Sequence, residues 1–517
     1  MPPPGQQTRT ATIEAVLPTP PPTRTDNWHS ARAEDLDVLV VGGGVSGAAV
    51  FRELADAGKR VLLVDRGDFC CRTSQASGLL IWGGLLYLRN LDFREVHRLC
   101  LERDRLLAEH RGLVKTMDFH YLPLRGSLRQ RWVVNLALKA YWLIGGRRRA
   151  WPSGEPHFES EGLLVAKRFK KPLHYEEAAL VHSDSQFVTG WITSRMGGAQ
   201  AALNHCSLTT ARWDAGAKLW ILELEDHQTG ETSVLSSKLL VNAGGVWANR
   251  LNDMCGLSSP YRHVLSKGVY MNLPCPTSLK ETLVFETGEH GDSITMTPWG
   301  PVALWGPTEN VVASIEEGFA PNREDLRFLL DQGGRNLRRA PQAQDAISLR
   351  CGIRPLAVKS SYRRDRYPLT ISRKHLIVTD AKKPAITIYG GKITSAPMLA
   401  REVLTRLEAY DLPQRTAKPV AEIITPPPTH TFGALLEPQP DPLWCRDMQA
   451  CVTLEDYLRR RSNIAQWVPR MGLGHGNAHL QEMTQLAHLF HGPHGAQAAV
   501  NSLQQQADRQ DALLASV

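Results

Sequence analysis

Apolar and polar positions along the chain switch between two periods, and the switches mark its elements. Asp37 to Val41 is a short apolar run that predicts a strand, Gly42 to Gly47 a tight turn, and Ala48 to Ala57 a helix stopped by Gly58. Arg60 to Val64 is a second apolar strand, so the four pieces make one βαβ unit. Residues 92–112 place Glu, Arg and Leu at helical spacing, and 205–245 return to strands that end in Leu239-Leu-Val-Asn-Ala-Gly-Gly245. Alternating, β-rich sequence continues to about residue 320. Helices are predicted over 322–339 and over Met398 to Ala409, and a helical region over 443–510. The first 35 residues, rich in Pro and Thr, read as a disordered tail, and Pro-rich 416–442 reads as a linker. No internal repeat is visible.

Composition narrows the function classes. A chain of 517 residues, 42% hydrophobic and 22% charged, has the makeup of a globular protein of two or three domains. The net charge of +8 favours anionic partners, either a small anionic substrate or an acidic membrane surface. Zinc-finger spacing, an RNP-type motif and a basic low-complexity arm are all missing, so no nucleic-acid partner is expected. Nine scattered cysteines form no CxxC pair, and adjacent Cys70 and Cys71 suit a disulfide poorly, which points to reduced thiols in the cytoplasm. Residues 1–35 lack the apolar core of a secretory signal, and no apolar run reaches 18 residues, so no spanning helix is expected. The segment Arg125–Arg149 interleaves basic residues with Trp132, Val133, Leu136, Leu138, Tyr141, Trp142 and Leu143. That is the pattern of a peripheral helix on the cytoplasmic membrane face, or of a buried helix with solvated ends. His475, His479, His488, His491 and His494 have no Cys or acidic residue to complete a standard site, so no metal is assigned.

Candidate chemistry begins at the first turn. Gly42, Gly44 and Gly47 spell GxGxxG around Val45 and Ser46, after a strand and before a helix. Gly42 permits the tight turn, Gly44 lets backbone approach a pyrophosphate, and Gly47 lets helix pack on strand. Phosphate then sits on the free N–H groups of a helix N-terminus. Asp65, 18 residues past Gly47 and followed by Arg66, stands where an acid binds the adenosine ribose. The fingerprint predicts dinucleotide binding and leaves FAD and NAD open.

Three later segments favour FAD. Arg72-Thr73-Ser74-Gln75-Ala76-Ser77 supplies hydroxyls for phosphate or flavin polar groups. Val241-Asn242-Ala243-Gly244-Gly245 ends a strand in small residues that let backbone approach a flat ring. Tyr389-Gly390-Gly391-Lys392-Ile393-Thr394-Ser395 is a glycine pair opening a helix. It is not a P-loop, because Ile386 stands where the first glycine belongs.

With these pieces in place the chain resembles the FAD-dependent glycerol-3-phosphate dehydrogenases, a branch of the D-amino-acid-oxidase-like flavoproteins, from about residue 36 to 470. Matching motifs are Gly42–Gly47, Thr73-Ser74, Gly83-Gly84-Leu85 with Tyr87-Leu88, Pro298-Trp299, Gly306-Pro-Thr-Glu309, Gly352-Ile-Arg-Pro-Leu356, Gly390-Gly-Lys-Ile-Thr394, and Thr453-Leu-Glu-Asp456 with Arg459-Arg-Arg461. The resemblance implies an α/β (α+β overall) fold with a Rossmann-like FAD domain, a β-rich substrate domain and a C-terminal helical cap. The oxidoreductase region would span 36–415. Its FAD-binding parts would lie near 36–115, 175–255 and 350–410, interleaved with substrate parts near 116–174 and 256–349. It also implies hydride transfer from a carbinol C–H to flavin N5, with Gly83 and Gly84 beside the cofactor. Tyr87, Arg354, Arg373 and Lys392 would surround the substrate. A quinone or another electron acceptor is implied as partner, and a homodimer is left open.

The chain departs from the family at its first active-site segment. Where the family usually reads Ser-Lys-Leu-Ile-His-Gly-Gly-Leu-Arg-Tyr, Leu79, Trp82 and Leu86 replace the Lys, His and Arg. Where it reads Arg-x-x-Lys-Gly-Ser-His, the chain has Val264-Leu-Ser-Lys-Gly-Val-Tyr270. Each lost cationic anchor removes charge-assisted bonds worth roughly 1.5–3 kcal/mol. Proton transfer then falls to Tyr270, Lys392 or water. Three readings follow: a carbinol-oxidising flavoenzyme, an amine or amino-acid oxidase with Arg354 gripping a carboxylate, and a non-catalytic flavin-binding protein.

Overall fold

A computed structural model describes residues 22–127, 130–154, 158–287, 293–362, 371–413, 415 and 428–517. The apolar run at the start forms the strand Leu36–Val41, flanked in parallel by Val61–Val64 and Thr232–Asn242. Gln200–Leu203 and Ala385–Tyr389 extend the parallel set on either side. Leu376–Thr379 and the pair Cys206–Asp214 and Leu219–Asp226 add antiparallel pieces, making eight strands. All four residues of Val61–Val64 are buried, as a parallel strand covered on both faces requires. The helices Val45–Asp56, Ala396–Leu407 and Asp184–Thr193 pack together over this sheet.

A second, nine-stranded sheet stands beside the first. Its spine is the long strand Tyr261–Pro274, paired over twelve residues with Ser348–Lys359. Val302–Gly306 and Asn310–Val312 pair along its other edge. Ser293–Trp299, Thr282–Glu286, Val114–Leu122, Leu173–Leu180 and Leu80–Ile81 follow outward in that order. The largest core cluster joins the helices of the first sheet to the C-terminal helical region.

That region is fastened by charge. Arg460 and Arg461, on the wide turn Tyr457–Arg461, reach the buried carboxylate of Asp68 just past the second strand. Arg460 Nε lies 2.5 Å from Oδ2, and Arg461 Nη1 and Nη2 lie 2.7 Å from the two oxygens. Asp456 takes a further Arg460 bond at 2.7 Å and faces His205 at 3.0 Å. Burial pushes Asp456 upward, but His205 and the two arginines outweigh it and hold the carboxyl well below its usual range.

The structure departs from the sequence reading in three places. Within the expected tail, Arg24–Arg32 is a helix: Thr23 and Asp26 form a capping box, and Trp28 is buried with its Nε1 donating to Asp226 at 2.8 Å. Within the expected linker, Phe432 is fully buried and Thr429–His430 pairs with Gln439–Pro440; 416–427 lie outside the described residues. Residues 350–359 and 175–180, assigned to the dinucleotide part, run as strands of the second sheet because their partners lie on Tyr261–Pro274 and Val114–Leu122. All nine cysteines are unpaired. Among the described residues, no helix is long and apolar enough to cross a membrane.

Candidate active site

The parallel strands of the first sheet deliver three turns to one edge. Gly42 takes φ +111°, and a Cβ there would come within 2.4 Å of the Ala243 carbonyl oxygen. At Gly47 a Cβ would fall 1.8 Å from the Gly42 carbonyl oxygen, so helix and turn touch backbone to backbone. The helix Val45–Asp56 starts at Gly44 without a side-chain cap, which leaves its first amides to Ser74 Oγ, accepting from Val45 N at 2.9 Å, and to any anion placed there. Asp65 accepts from the amides of Gly43 at 2.7 Å and Gly67 at 2.9 Å. Burial outweighs those bonds and lifts its carboxyl to about 6. Ala243 and Gly244 form the second turn, held by Asn242, whose Oδ1 accepts from Gly244 N at 3.0 Å. In the third turn Gly391 has φ +110°, and a Cβ there would meet Ser46 Oγ at 2.7 Å. A dinucleotide's phosphates, ribose and flat ring match this set of bare glycines, free amides and a carboxylate.

From these turns a cavity of about 740 Å³ opens between the two sheets. It brings together Val45, Thr73, Ser74, Ser77, Gly84, Ile393 and Thr394 with Tyr87, Tyr270, Arg354, Arg373 and Lys392. Thr73 Oγ1 donates to Ile353 O at 2.7 Å, tying the hydroxyl-bearing turn to the strand that carries Arg354. Gly42, Gly44, Ser46, Gly47, Asp65, Ala243 and Gly244 lie on the sheet edge outside the cavity walls. Arg66 is exposed on the ring of Trp247, 4.3 Å from its centroid.

Two expectations need correction. Gly83 turns away from the cavity: its amide donates to Glu177 at 3.1 Å, and a Cβ would sit 2.1 Å from the Tyr141 hydroxyl. Leu79 is buried in the core rather than facing a substrate, so the apolar change in the site comes from Trp82 and Leu86 alone.

Lys392 is the central cation. Its Nζ donates to Tyr87 OH at 3.0 Å and lies 4.4 Å from the ring centroid. Burial lowers its ammonium to about 8, against the pull of Glu95. Burial raises the phenols of both Tyr87 and Tyr270, which suits them to donate rather than ionise. Glu309 carried no role in the sequence reading, although its motif was visible. Arg354 Nη1 lies 2.9 Å and Arg373 Nη2 3.0 Å from the same Glu309 oxygen. Burial pushes that carboxyl upward, but the two guanidiniums and the Ser266 hydroxyl hold it below its usual value. Two glycines make room for these side chains: a Cβ on Gly268 would meet Arg354 Nη2 at 2.5 Å, and one on Gly78 would meet the Tyr270 hydroxyl at 2.4 Å. Neither was legible without the partner's position.

The sequence model of the family described as FAD dependent oxidoreductase matches residues 37–406. The aerobic glycerol-3-phosphate dehydrogenase of Escherichia coli is 29% identical over 387 residues, 73% of this chain and 74% of that protein. The D-erythritol 1-phosphate dehydrogenase of Brucella abortus is 27% identical, with 73% and 74% covered. Among solved structures, the glycerol-3-phosphate dehydrogenase from Bacillus halodurans complexed with FAD superposes with a TM-score of 0.67 at 18% identity, covering 94% of this chain and 96% of that one. The L-alpha-glycerophosphate oxidase from Mycoplasma pneumoniae with FAD bound gives 0.58 at 16% identity, with 74% and 97% covered.

Proposed function

The chain belongs to the FAD dependent oxidoreductases, and on that premise we propose that it oxidises the carbinol C–H of a small anionic substrate. It resembles the glycerol-3-phosphate dehydrogenases and takes FAD as its cofactor. Bound at the three turns, FAD supplies the hydride acceptor. The protein's own residues do the rest. Gly42, Gly44, Val45, Ser46 and Gly47 present backbone and helix N-terminus to the pyrophosphate, Asp65 accepts from ribose, and Thr73, Ser74, Gly391, Ile393 and Thr394 edge the ring site. Arg354 and Arg373 hold the substrate's anionic group. Lys392, in its neutral form, accepts the hydroxyl proton, and Tyr87 holds it in place. Tyr270 donates a hydrogen bond across the cavity.

The observation that carries this reading is the convergence of Lys392, Arg354 and Arg373 on one cavity beside the turn Gly390–Thr394. Quinone or another acceptor would reoxidise the flavin. The helix Arg131–Ile144 suits a peripheral seat on an anionic membrane, since it exposes Trp132, Leu136 and Leu143 beside exposed Arg147 and Arg148.

The test is the absorption spectrum of purified protein, followed anaerobically as hydroxy anions and matched amino anions are added. Flavin bands that bleach with a hydroxy anion are expected. Bleaching by amines alone would transfer the site to amino-acid oxidation. Bands that only dithionite removes would leave a flavin-binding protein without this chemistry.

A further inference from the structure

The walls of the cavity point to a substrate unlike the polyol phosphates for which its relatives are named, and the inference rests on the carbinol-oxidising reading above. Arg354 and Arg373 do not stand as two free cations, because one Glu309 oxygen lies 2.9 Å and 3.0 Å from them. Lys374, also on the wall, is bonded to Asp92. With the Glu324 carboxylate also on the wall, the described residues of this end offer no more than one unmatched positive charge besides Lys392, enough for a carboxylate. A phosphate monoester, close to a dianion at neutral pH, calls for more.

Part of the wall is apolar. Leu80 and Trp82 alternate onto the cavity from the strand Leu80–Ile81 and its continuation, and the Trp82 ring meets Phe119 edge-on at 5.8 Å, which fixes its orientation. Leu86 lies on the same turn as Tyr87, the residue beneath Lys392, and is 39% exposed at the cavity mouth. Ile294 and Phe328 add apolar surface elsewhere on the cavity wall, from a separate core cluster. The indole and leucine surfaces offer a polyol's hydroxyls no hydrogen-bond partner on this part of the wall, whereas an apolar group gains contact there.

We propose that the substrate is a 2-hydroxy carboxylate with an apolar, ring-sized side chain. Its carboxylate binds Arg354 and Arg373, and its side chain packs on Trp82 and Leu86. The C2–H bond breaks with its electron pair going to oxidised flavin, the hydroxyl proton goes to the Lys392 amine, and the products are a 2-oxo carboxylate and reduced flavin.

The experiment uses the FAD-loaded full chain. Binding is read from perturbation of the oxidised flavin spectrum by 3-phenylpropanoate, which has no hydroxyl to oxidise, and by inorganic phosphate. Turnover is read from anaerobic bleaching by each enantiomer of 3-phenyllactate and by glycerol 3-phosphate. The expected result is that 3-phenylpropanoate binds at least roughly tenfold more tightly than phosphate and that one enantiomer of 3-phenyllactate bleaches the flavin. Leu86→Arg, at an exposed position that tolerates substitution, should shift the binding ratio toward phosphate by about tenfold or more, the effect of one charge-assisted bond. Phosphate or glycerol 3-phosphate binding more tightly than 3-phenylpropanoate would overturn the proposal, and so would a binding ratio unmoved by Leu86→Arg. Selective binding of 3-phenylpropanoate with no bleaching by any alcohol would sink the carbinol reading and leave the substrate-binding class standing. Bleaching by glycerol 3-phosphate without 3-phenylpropanoate binding would do the reverse.

Discussion

Asp68→Asn should uncouple the C-terminal helical region from the dinucleotide sheet, and the structure sets the size of the effect. Arg461 is fully buried, and both its terminal nitrogens sit 2.7 Å from Asp68; its other acceptors are only the carbonyls of Gln449 and Ala450. Arg460 loses less, since Asp456 and Glu455 still face it at 2.7 Å and 3.1 Å. Removing the charge of one partner in such a buried pair costs about 3–5 kcal/mol, because the remaining guanidinium is left uncompensated. Urea unfolding of the FAD-loaded protein, followed by flavin fluorescence and by far-UV circular dichroism, would measure it. The loop from Asp68 also leads into Thr73 and Ser74, so flavin release should precede global unfolding in the variant. Arg461→Met alone and in combination with Asp68→Asn completes a cycle, and the double variant should be milder than the sum by about 1–3 kcal/mol. If Asp68→Asn costs less than about 1 kcal/mol, or if the two changes simply add, this ion cluster does not hold the region in place.

Three further outcomes are expected. The limiting rate of flavin reduction should rise roughly tenfold between pH 7 and pH 9, because the population of the neutral Lys392 amine, the proposed proton acceptor, grows as pH passes about 8; stopped-flow absorbance checks this, and Lys392→Met should slow the step and erase the rising limb. Gly47→Ala should abolish retention of FAD on purification while leaving the circular dichroism of the added-FAD protein measurable, since its Cβ would lie 1.8 Å from the Gly42 carbonyl oxygen. Glu309→Gln should free Arg354 and Arg373 from a shared carboxylate and tighten binding of inorganic phosphate by about tenfold or more, read from the flavin spectrum.

What the sequence disclosed and what it hid differ by the range of the interaction. The turn Gly42–Gly47 was legible because its geometry is written in consecutive residues, and Gly391 for the same reason. The helix Arg24–Arg32 was missed although Thr23 and Asp26 spell its cap, because proline-rich neighbours dominated the composition and the partner of Trp28, Asp226, lies far away along the chain. Gly83 and Leu79 sit inside a recognised motif, yet Glu177 and the core turn them away from the cavity. Glu309 shows the same limit, since its two arginines come from a strand and a loop well downstream.

That division by range also explains how the flavin site and the substrate wall can diverge independently. In the proposed site the cofactor would be held mainly by backbone: glycines at φ values other residues resist, amides at an uncapped helix start, and one carboxylate. Such a site tolerates few substitutions at its closest points, because a Cβ at Gly42 or Gly47 collides with main chain. The substrate would be held by side-chain tips that line the cavity, where exchanging a charge for an apolar surface need not disturb the backbone turns. Trp82 and Leu86 occupy that freedom without disturbing Gly84 or Tyr87 beside them, and Tyr87 still carries Lys392. The proposed proton-accepting amine can therefore persist while other residues of the cavity wall select a different molecule.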